Sequence, residues 1–211
     1  MIIAVDGPAA SGKGTLAAGL AAHFRLPHLD TGLLYRAVGR AAMEYEGTPE
    51  FEPRAIAAAE ALHPEALDPE FLVTQKVGNL ASKVAVIGPV RRALFAYQRK
   101  FALRPGGAVL DGRDIGTVIC PDADVKLFIV ADARARAERR ARQFEARGQV
   151  VDHEALYAQI MERDARDRGN PNGGFYPAED AHLLDTTLLD IEAALRAAVA
   201  IVDAAMAGKA R

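Results

Sequence analysis

A glycine-rich segment near the beginning of the chain has the residue types that bind phosphate. Four residues separate Gly7 from Gly12, and Lys13 follows the second glycine directly. Glycines let the backbone turn tightly around an anion with several N–H groups pointing inward, and the lysine adds a full positive charge. We therefore predict that one continuous segment binds nucleotide phosphates. It consists of Gly7, Pro8, Ala9, Ala10, Ser11, Gly12, Lys13, Gly14 and Thr15.

One position departs from the usual form of this phosphate-binding loop. Gly14 stands where a serine or threonine commonly follows the lysine, and the hydroxyl comes one residue later, at Thr15. In the usual form that hydroxyl binds Mg²⁺ directly. We therefore expect Thr15 to contact a phosphate, and we expect any metal to be held through water rather than by a direct protein ligand.

The segments on either side of the loop are those that a phosphate site needs. The apolar run over residues 2–5 predicts a buried strand, and residues 16–24 predict a helix. A helix N-terminus favours an anion through its partial positive charge. This context favours an NTP-binding protein over a glycine-rich turn without a ligand, but does not decide between a kinase, an ATPase and a nucleotide switch.

Length and composition limit the class of protein. The 211 residues suffice for one substantial core with small inserts, and many of the 50% that are hydrophobic are alanines, which favour helix. The net charge of −2 does not indicate nucleic acid or a membrane surface as a partner. The single cysteine, Cys120, fits a reducing compartment. With no leader or bilayer-length apolar run visible, and no exposed apolar stripe, we expect a cytoplasmic monomer.

The segment after the first helix places a cation in an unusual position. Residues 26–32 lead back towards the sheet, and a helix predicted from Leu33 carries Tyr35 and Arg36. A cation near a helix N-terminus is not favoured by the helix dipole. Arg36 therefore indicates an anionic partner, with a solvated surface arginine as the alternative.

The next stretch predicts a helical insert. Residues 44–70 are acidic and interrupted by four prolines, which predicts short helices joined by turns. Helical spacing of apolar residues predicts one helix over residues 69–86 and a second over residues 90–103. Ser82 and Arg91 lie on these helices. The plain alternatives are a helix-surface serine and a helix salt bridge.

A second strand ends in a carboxylate. Residues 108–111 read Ala-Val-Leu-Asp, and Arg113 and Asp114 follow at the carboxyl edge of the predicted sheet, which is the ligand side of open α/β sheets. Phosphate-loop enzymes place a metal-organising carboxylate there, so we expect Asp111 to order the water around Mg²⁺. The alternative is that Asp111 only caps a turn or helix. Cys120 has no evident basic partner and is interpreted as a packed residue.

Two arginine-rich helices follow the next strand, which is predicted over residues 124–130. They are predicted over residues 133–147 and 152–168, and Arg163 and Asp167 share one face of the second. Such charges are mostly solvated or form weak exposed pairs. On a chain with a phosphate-binding loop, we interpret the two helices as a mobile lid. A last strand over residues 182–186 and a helix over residues 188–207 complete an α/β pattern with a parallel sheet covered on both faces.

Several blocks of the sequence, in this order, resemble the cytidylate kinases of bacteria, which are nucleoside monophosphate kinases with a phosphate-binding loop. The resemblance runs through nearly the whole chain. The blocks Asp-Thr-Gly-X-X-Tyr-Arg and Asp-Gly-Arg-Asp-Ile-Gly-Thr-Val are its most specific parts, because many families share the phosphate-binding loop. The blocks cover residues 6–15, 29–36, 81–82, 90–91, 111–118, 121–124, 163–168 and 184–187.

The resemblance implies a P-loop NTPase fold in one nucleoside monophosphate kinase domain. Its core would comprise residues 1–36, 104–132 and 180–211, with a helical monophosphate-binding subdomain over about 37–103 and a helical lid over about 133–179. The implied reaction moves the γ-phosphate of ATP, with Mg²⁺, to CMP or dCMP. A kinase for another monophosphate, such as UMP or AMP, remains an alternative, as does a nucleotide-dependent switch.

The resemblance also implies roles for individual residues. The catalytic residues would be Lys13, Arg36, Asp111 and Arg113. The CMP would be contacted by Thr31, Tyr35, Arg36, Ser82, Arg91, Arg113, Asp114, Arg163 and Asp167. Of these, the three arginines at positions 36, 91 and 113 would hold its phosphate, whereas Ser82, Asp114 and Asp167 would read the cytosine and the sugar. Arg163 would bridge from the lid.

Two departures from the family pattern carry expectations of their own. The stretch between Arg36 and Ser82 is shorter than usual and lacks the alternating pattern of the family's small β insert. Asn170 stands where many members carry an arginine near the lid. We expect weaker monophosphate binding or an altered sugar preference rather than loss of activity.

Overall fold

The computed structural model describes residues 1–146, 148–173 and 175–209. The strands are β1 Ile2–Asp6, β2 His28–Asp30, β3 Ala108–Gly112, β4 Val125–Val130 and β5 His182–Asp185. The α-helices are α1 Lys13–Phe24, α2 Thr31–Ala41, α3 Phe51–Glu60, α4 Pro69–Leu72, α5 Gln75–Val84, α6 Gly88–Ala102, α7 Ala133–Glu145, α8 His153–Arg168 and α9 Ile191–Lys209. Within these ranges, no helix has the length and apolar character that crossing a membrane requires.

The five strands form one parallel sheet in the order β2-β3-β1-β4-β5. Successive side chains of a strand point to opposite faces, so Ile3 and Val5 pack against α1 and α9, whereas Ala4 packs on the other face with Ala102 of α6. The predicted α/β fold with a parallel sheet covered on both faces is confirmed. All five strand carboxyl ends meet at one edge, where the phosphate-binding loop lies.

The helices between β2 and β3 have a hydrophobic core of their own. Leu34 and Val38 of α2 pack with Ala55 of α3 and Leu94 of α6 in a cluster separate from those on the sheet. Gly39 lets α2 approach α5 closely, because a Cβ there would lie 2.9 Å from the backbone of Leu80. The predicted helical insert is present, and every regular element between residues 31 and 107 is a helix.

The single helix predicted over residues 69–86 is wrong. The chain leaves the helical path at Val73 and Thr74, between α4 and α5, and the Thr74 hydroxyl accepts a hydrogen bond from the Val77 N–H at 3.2 Å. A threonine that caps a new helix N-terminus competes with continuing the old one. The periodic apolar pattern continued through the break, and therefore concealed it.

Several helix boundaries also differ from the prediction: α1 begins at Lys13 rather than Leu16, and α6 begins at Gly88 rather than Val90. The last helix begins at Ile191 rather than Leu188, because the Asp190 carboxylate accepts the Ala193 N–H at 2.7 Å and caps it there. The second helix begins at Thr31, two residues before Leu33. The predicted end of the first arginine-rich helix, residue 147, lies outside the described residues.

Candidate active site

The phosphate-binding loop connects β1 to α1 through backbone conformations that favour glycine. Gly7 has φ +153°, and a Cβ there would lie 2.3 Å from the Ile129 carbonyl oxygen. Gly12 has φ +89° immediately before α1, and Ala10 has φ +60°. We call the space in front of this segment the loop cleft. Its lining from the loop comprises Ala9, Ala10, Gly12, Lys13, Gly14 and Thr15, whereas Ser11 faces a groove on the other side.

Lys13 forms no ion pair with any described carboxylate. Burial, together with the nearby Arg113 guanidinium, lowers the pKa of its ammonium to about 7, although Asp111 and Asp30 act in the opposite direction. Positive charge that is desolvated and only partly compensated favours an anionic ligand. The loop therefore combines backbone N–H groups with a cation suited to phosphate.

Asp111 lies at the carboxyl end of β3, as predicted. Its Oδ1 lies 2.8 Å from the Nε2 atom of His28, and a Cβ added to Gly14 would lie 3.7 Å from its Oδ2. One carboxylate oxygen is thus held by a side chain, while the other faces the first turn of α1. The carboxylate does not cap a helix, since its hydrogen-bond partner is an imidazole.

A second space, which we call the arginine cleft, adjoins the loop cleft. Two carboxylates on its wall hold guanidinium groups: Asp114 pairs with Arg91, and Asp167 accepts the Nε–H of Arg113 at 2.9 Å. Ser82 Oγ donates to the other oxygen of Asp167 at 3.0 Å. The Arg113 and Ser82 contacts hold the pKa of the Asp167 carboxyl below its usual value, against burial, which acts in the opposite direction.

Two further guanidinium groups converge where the two clefts meet. A Cβ on Gly78 would lie 3.3 Å from both terminal nitrogens of Arg36 and 3.6 Å from Nη1 of Arg163. Arg36 donates to the carbonyl of Leu72, the last residue of α4, at 3.0 Å. The Nε of Arg163 is buried without a hydrogen-bond partner.

The guanidinium groups of this cluster repel one another, and the pKa of Arg163 reflects that repulsion. Burial, together with the nearby Arg113 and Arg36 guanidinium groups, lowers the pKa of Arg163 to about 9, although Asp167 acts in the opposite direction. A buried guanidinium Nε–H without an acceptor is costly. An anion placed between these groups would satisfy it and offset their repulsion.

The structure brings the predicted monophosphate contacts together, with one displacement. Eight of the nine line the arginine cleft: Thr31, Tyr35, Ser82, Arg91, Arg113, Asp114, Arg163 and Asp167. The ninth, Arg36, lines the loop cleft, together with Asp111. Lys13, Arg113 and Arg163 belong to both clefts. The candidate donor and acceptor groups thus share one boundary.

The loop after α8 is attached to the helical insert. The Asn170 side-chain amide donates to the Ala85 carbonyl at 3.0 Å, and that of Asn172 donates to the Val86 carbonyl at 2.9 Å. Asn170 Oδ1 accepts the Asn172 N–H at 2.9 Å. Asn170 also lines the arginine cleft, so the position that departs from the family pattern lies at the site.

Sequence reasoning missed several side chains that hold the site together. Asp6 precedes the first loop glycine, and its carboxylate accepts the N–H groups of Ile115 at 2.8 Å and Gly116 at 2.7 Å. Burial raises the pKa of Asp6 to about 7. Phe175 lines the arginine cleft beside Arg113. An aspartate directly before the loop was the available signal for Asp6, whereas no spacing pattern points to Phe175.

The described side chains do not by themselves form a metal site. Among the described residues, no group of three or more histidine, cysteine, aspartate and glutamate side chains is arranged to hold a metal ion. Asp111 and the hydroxyl-bearing Thr15 instead line the loop cleft together with Lys13. Cys120 is buried, and burial raises the pKa of its thiol, which agrees with a packed residue rather than a nucleophile.

A glycine-rich loop between the first strand and helix of a parallel 2-3-1-4-5 sheet, with a helical insert and a pair of arginine-rich helices, defines the P-loop NTPase fold of the nucleoside monophosphate kinase type. A family model described as cytidylate kinase matches residues 3–204. The chain therefore belongs to the cytidylate kinase family.

Curated relatives match along the entire length. A protein named cytidylate kinase from Rhodopseudomonas palustris (strain BisB18) is 54% identical over 211 residues, covering 100% of both chains. One of the same name from Methylocella silvestris is 55% identical over 205 residues, covering 97% of this chain and 95% of its own. A solved structure of an uncharacterized protein from Eubacterium ventriosum is similar in fold, with a TM-score of 0.55 and 16% identity, covering 97% of this chain and 98% of its own.

Proposed function

We propose that the protein transfers the γ-phosphate of ATP to CMP or dCMP, giving ADP with CDP or dCDP. The observation that carries this is the meeting of four cationic side chains, Lys13, Arg36, Arg113 and Arg163, at the boundary of two clefts. A protein that only binds an NTP needs the loop cleft alone. The arginine cleft supports a second phosphorylated substrate, and membership of the cytidylate kinase family supports CMP and dCMP.

The proposed reaction needs no covalent intermediate. A phosphate oxygen of CMP attacks the γ-phosphorus of ATP in line, so the protein's contribution is to orient two polyanions and offset their repulsion. Orientation alone can lower such a barrier by about 7–11 kcal/mol. Arg36 and Arg113 suit this role because a guanidinium binds two phosphate oxygens and stays charged.

The residues facing the loop cleft fit a magnesium ion bound with ATP. Asp111 presents its free Oδ2 towards the start of α1, and Thr15 lines the same cleft. Through water, these two side chains would hold Mg²⁺, which would neutralise part of the charge of the ATP phosphates. His28 fixes the Asp111 carboxylate by its contact at 2.8 Å, and thereby leaves the other oxygen directed at the loop.

The arginine cleft offers groups for reading a base and a sugar. Ser82, Asp114 and Asp167 present hydroxyl and carboxylate oxygens, which accept from an exocyclic amine or from ribose hydroxyls. Arg113 and Ser82 already orient Asp167. We propose that this constellation selects cytosine, and that Arg163 adds a lid contact.

A groove on the far side of the loop would take the donor's base. It is lined by Ser11 and Leu16 of the loop and α1, by Arg139 of α7, and by Leu189 and Ile191 near the start of α9. Arg139 donates to the Thr186 carbonyl and hydroxyl, which anchors its planar guanidinium beside an apolar wall. A flat purine ring can stack on such a group.

The insert and the two arginine-rich helices are proposed as the monophosphate-binding subdomain and the lid. The insert has its own core, as do α7 and α8 through Ala141, Phe144 and Leu156. Elements with separate cores can move as units. Closure would exclude water and suppress ATP hydrolysis. A cytoplasmic, monomeric protein stays a prediction from the sequence.

The test is an ADP-release assay with Mg·ATP and a panel of CMP, dCMP, UMP, AMP, GMP and dTMP. Strong acceleration by CMP and dCMP, with little by the others, is expected. Acceleration by UMP or AMP instead would retain the kinase mechanism and overturn the assignment of the base-reading residues. Slow hydrolysis that no monophosphate accelerates would favour a nucleotide-dependent switch.

A further inference from the structure

A buried ion pair connects the two arginine-rich helices. Arg136 of α7 is 3% exposed and Asp164 of α8 is 1% exposed. The guanidinium binds the carboxylate through two parallel hydrogen bonds, Nη1 to Oδ1 at 3.1 Å and Nη2 to Oδ2 at 2.6 Å. A bidentate pair of this kind fixes orientation as well as distance. Neither residue lines the loop cleft or the arginine cleft.

The same guanidinium reaches the phosphate-binding loop. Arg136 Nη1 also donates to the Ala9 carbonyl at 3.1 Å, and its Nε donates to the Ala131 carbonyl at 3.0 Å, just after β4. One side chain therefore joins the loop, the end of a central strand and the second arginine-rich helix.

The contact between Arg136 and the Ala9 carbonyl affects the orientation of the next backbone N–H group in the phosphate-binding loop. In a trans peptide the C=O and the N–H point in opposite directions, so a carbonyl held by Arg136 turns the following N–H, that of Ala10, to the other side. Ala10 has φ +60°, which non-glycine residues rarely adopt and which must be held by its surroundings. Ala9 and Ala10 both line the loop cleft.

Asp164 links the Arg136 contacts to the arginine cleft, where the monophosphate is proposed to bind. It directly follows Arg163, whose guanidinium lines both clefts. A displacement of α8 at Asp164 therefore moves a cation of the arginine cleft and releases the partner of Arg136.

We propose that Arg136, held in place by Asp164, is a positioning residue that presents the loop amides to the donor phosphates and couples their geometry to the lid. This rests on the proposed kinase function, but its binding arm does not depend on turnover. The competing explanation is that the pair only stabilises the packing of α7 against α8.

The chain supplies a matched control for that explanation. Arg134 and Glu154 also join α7 to α8, at 3.2 Å, but their side chains are 65% and 77% exposed. Their described contacts do not include the phosphate-binding loop. Replacing this pair removes the same charges from the same two helices.

The experiment replaces each pair by apolar residues, as Arg136→Met with Asp164→Leu and as Arg134→Met with Glu154→Leu. Replacing both partners leaves no uncompensated buried charge. The measurements are the Kd of Mg·ATP without CMP, the KM values for ATP and CMP, kcat and the melting temperature. For the buried pair we expect the Mg·ATP Kd and the ATP KM to rise at least tenfold and kcat to fall at least tenfold, with the CMP KM changing less than threefold. For the exposed pair we expect every constant within twofold of wild type.

Two results would overturn the proposal: a folded buried-pair variant with Mg·ATP affinity and kcat within twofold of wild type, or equal losses in the control. Should the double variant not fold, Arg136→Lys decides, because lysine keeps the charge but not the planar fork. It should raise the ATP KM at least threefold and leave the CMP KM unchanged, and an unchanged ATP KM would refute the role. Failure of the proposed function appears separately, as wild-type protein that binds Mg·ATP yet transfers no phosphate to CMP.

Discussion

The loop cleft and the arginine cleft provide positive charge in different ways. In the loop cleft, Lys13 has no ion-pair partner among the described carboxylates, and it belongs to a loop of the type whose backbone N–H groups favour an anion. In the arginine cleft, Arg91 and Arg113 are already paired with Asp114 and Asp167. The loop cleft thus offers a cation without an ion-pair partner to an anionic ligand. In the arginine cleft, by contrast, the protein's own carboxylates hold two of the guanidinium groups in place before a ligand binds.

The difference predicts which substitutions harm which substrate. A charge without a protein partner acts only when the ligand is present, so its removal should affect binding and transfer but not the fold. A charge within a network supports its neighbours, so its removal should affect several contacts at once.

The largest effect is expected from Lys13→Ala. It removes a cation that lines both clefts, so phosphate transfer should fall by about 10³-fold or more, the scale found for cations that neutralise a transferring phosphoryl group. The melting temperature should change little, because Lys13 has no ion-pair partner to abandon. Kinetics with Lys100→Ala, an exposed lysine of α6, provide the control, and near-normal turnover in folded Lys13→Ala would refute the assigned role.

A smaller and more selective effect is expected from Arg36→Ala. Losing a charged hydrogen-bonding group costs roughly 1.5–3 kcal/mol, so the CMP KM should rise about ten- to a hundredfold, with the ATP KM much less affected. Arg40→Ala, one turn further along α2, is the matched control, since Arg40 makes a hydrogen bond and a ring contact with Phe71 and lines neither cleft. Equal effects of Arg36→Ala on the two KM values would place Arg36 elsewhere.

The loop cleft should also show a pH dependence through Lys13. Its pKa is about 7 in the free protein, and bound phosphates should raise it again, so binding Mg·ATP takes up a proton above pH 7. Affinity should therefore fall as the pH rises from 7 to 9, by up to tenfold per unit, in calorimetric titrations. In Lys13→Arg, which stays charged throughout, the slope should disappear; an identical slope in that variant would assign the dependence to another group.

The smallest effect is expected at the lid loop. Asn170→Arg adds a cation to the arginine cleft but removes the hydrogen bond to Ala85, so the KM for CMP or dCMP should fall only a few-fold. A new charged hydrogen bond to the substrate would contribute about 1.5–3 kcal/mol, and the loss of one neutral hydrogen bond would offset about 0.5–1.5 kcal/mol of it. Asn170→Ala isolates the second contribution. Unchanged KM values for both monophosphates in the arginine variant would refute a role for this position in substrate affinity.

The same contrast explains what sequence reasoning could find. The loop cleft is built around nine consecutive residues, so its glycine and lysine spacing could be recognised directly. The arginine cleft draws on residues from α2, α5, α6, α8 and the end of β3. Composition and periodicity cannot reveal that Asp167 meets Ser82 and Arg113, 85 and 54 residues away, and only the family resemblance indicated this.

Individual side-chain contacts likewise explain why the predicted helix over residues 69–86 was wrong. The apolar spacing over residues 69–86 was correct on both sides of Thr74, but a single hydroxyl that caps α5 divided the helix. That break exposes the Leu72 carbonyl to Arg36. A periodic pattern reports which face is buried and not whether the backbone is continuous. The Arg136–Asp164 pair was hidden among arginines whose usual explanation is a solvated face.

Direct phosphate transfer between two adjoining clefts is the central claim, and isotope transfer tests it most directly. Wild-type protein is incubated with CMP and ATP labelled at the γ-phosphate, and the label is followed in the nucleotides, the protein and free phosphate. We predict one labelled CDP for each ADP, with no label retained on the protein and little released as phosphate. Label bound covalently to the protein, or phosphate release matching ADP formation while CMP stays unchanged, would contradict direct transfer.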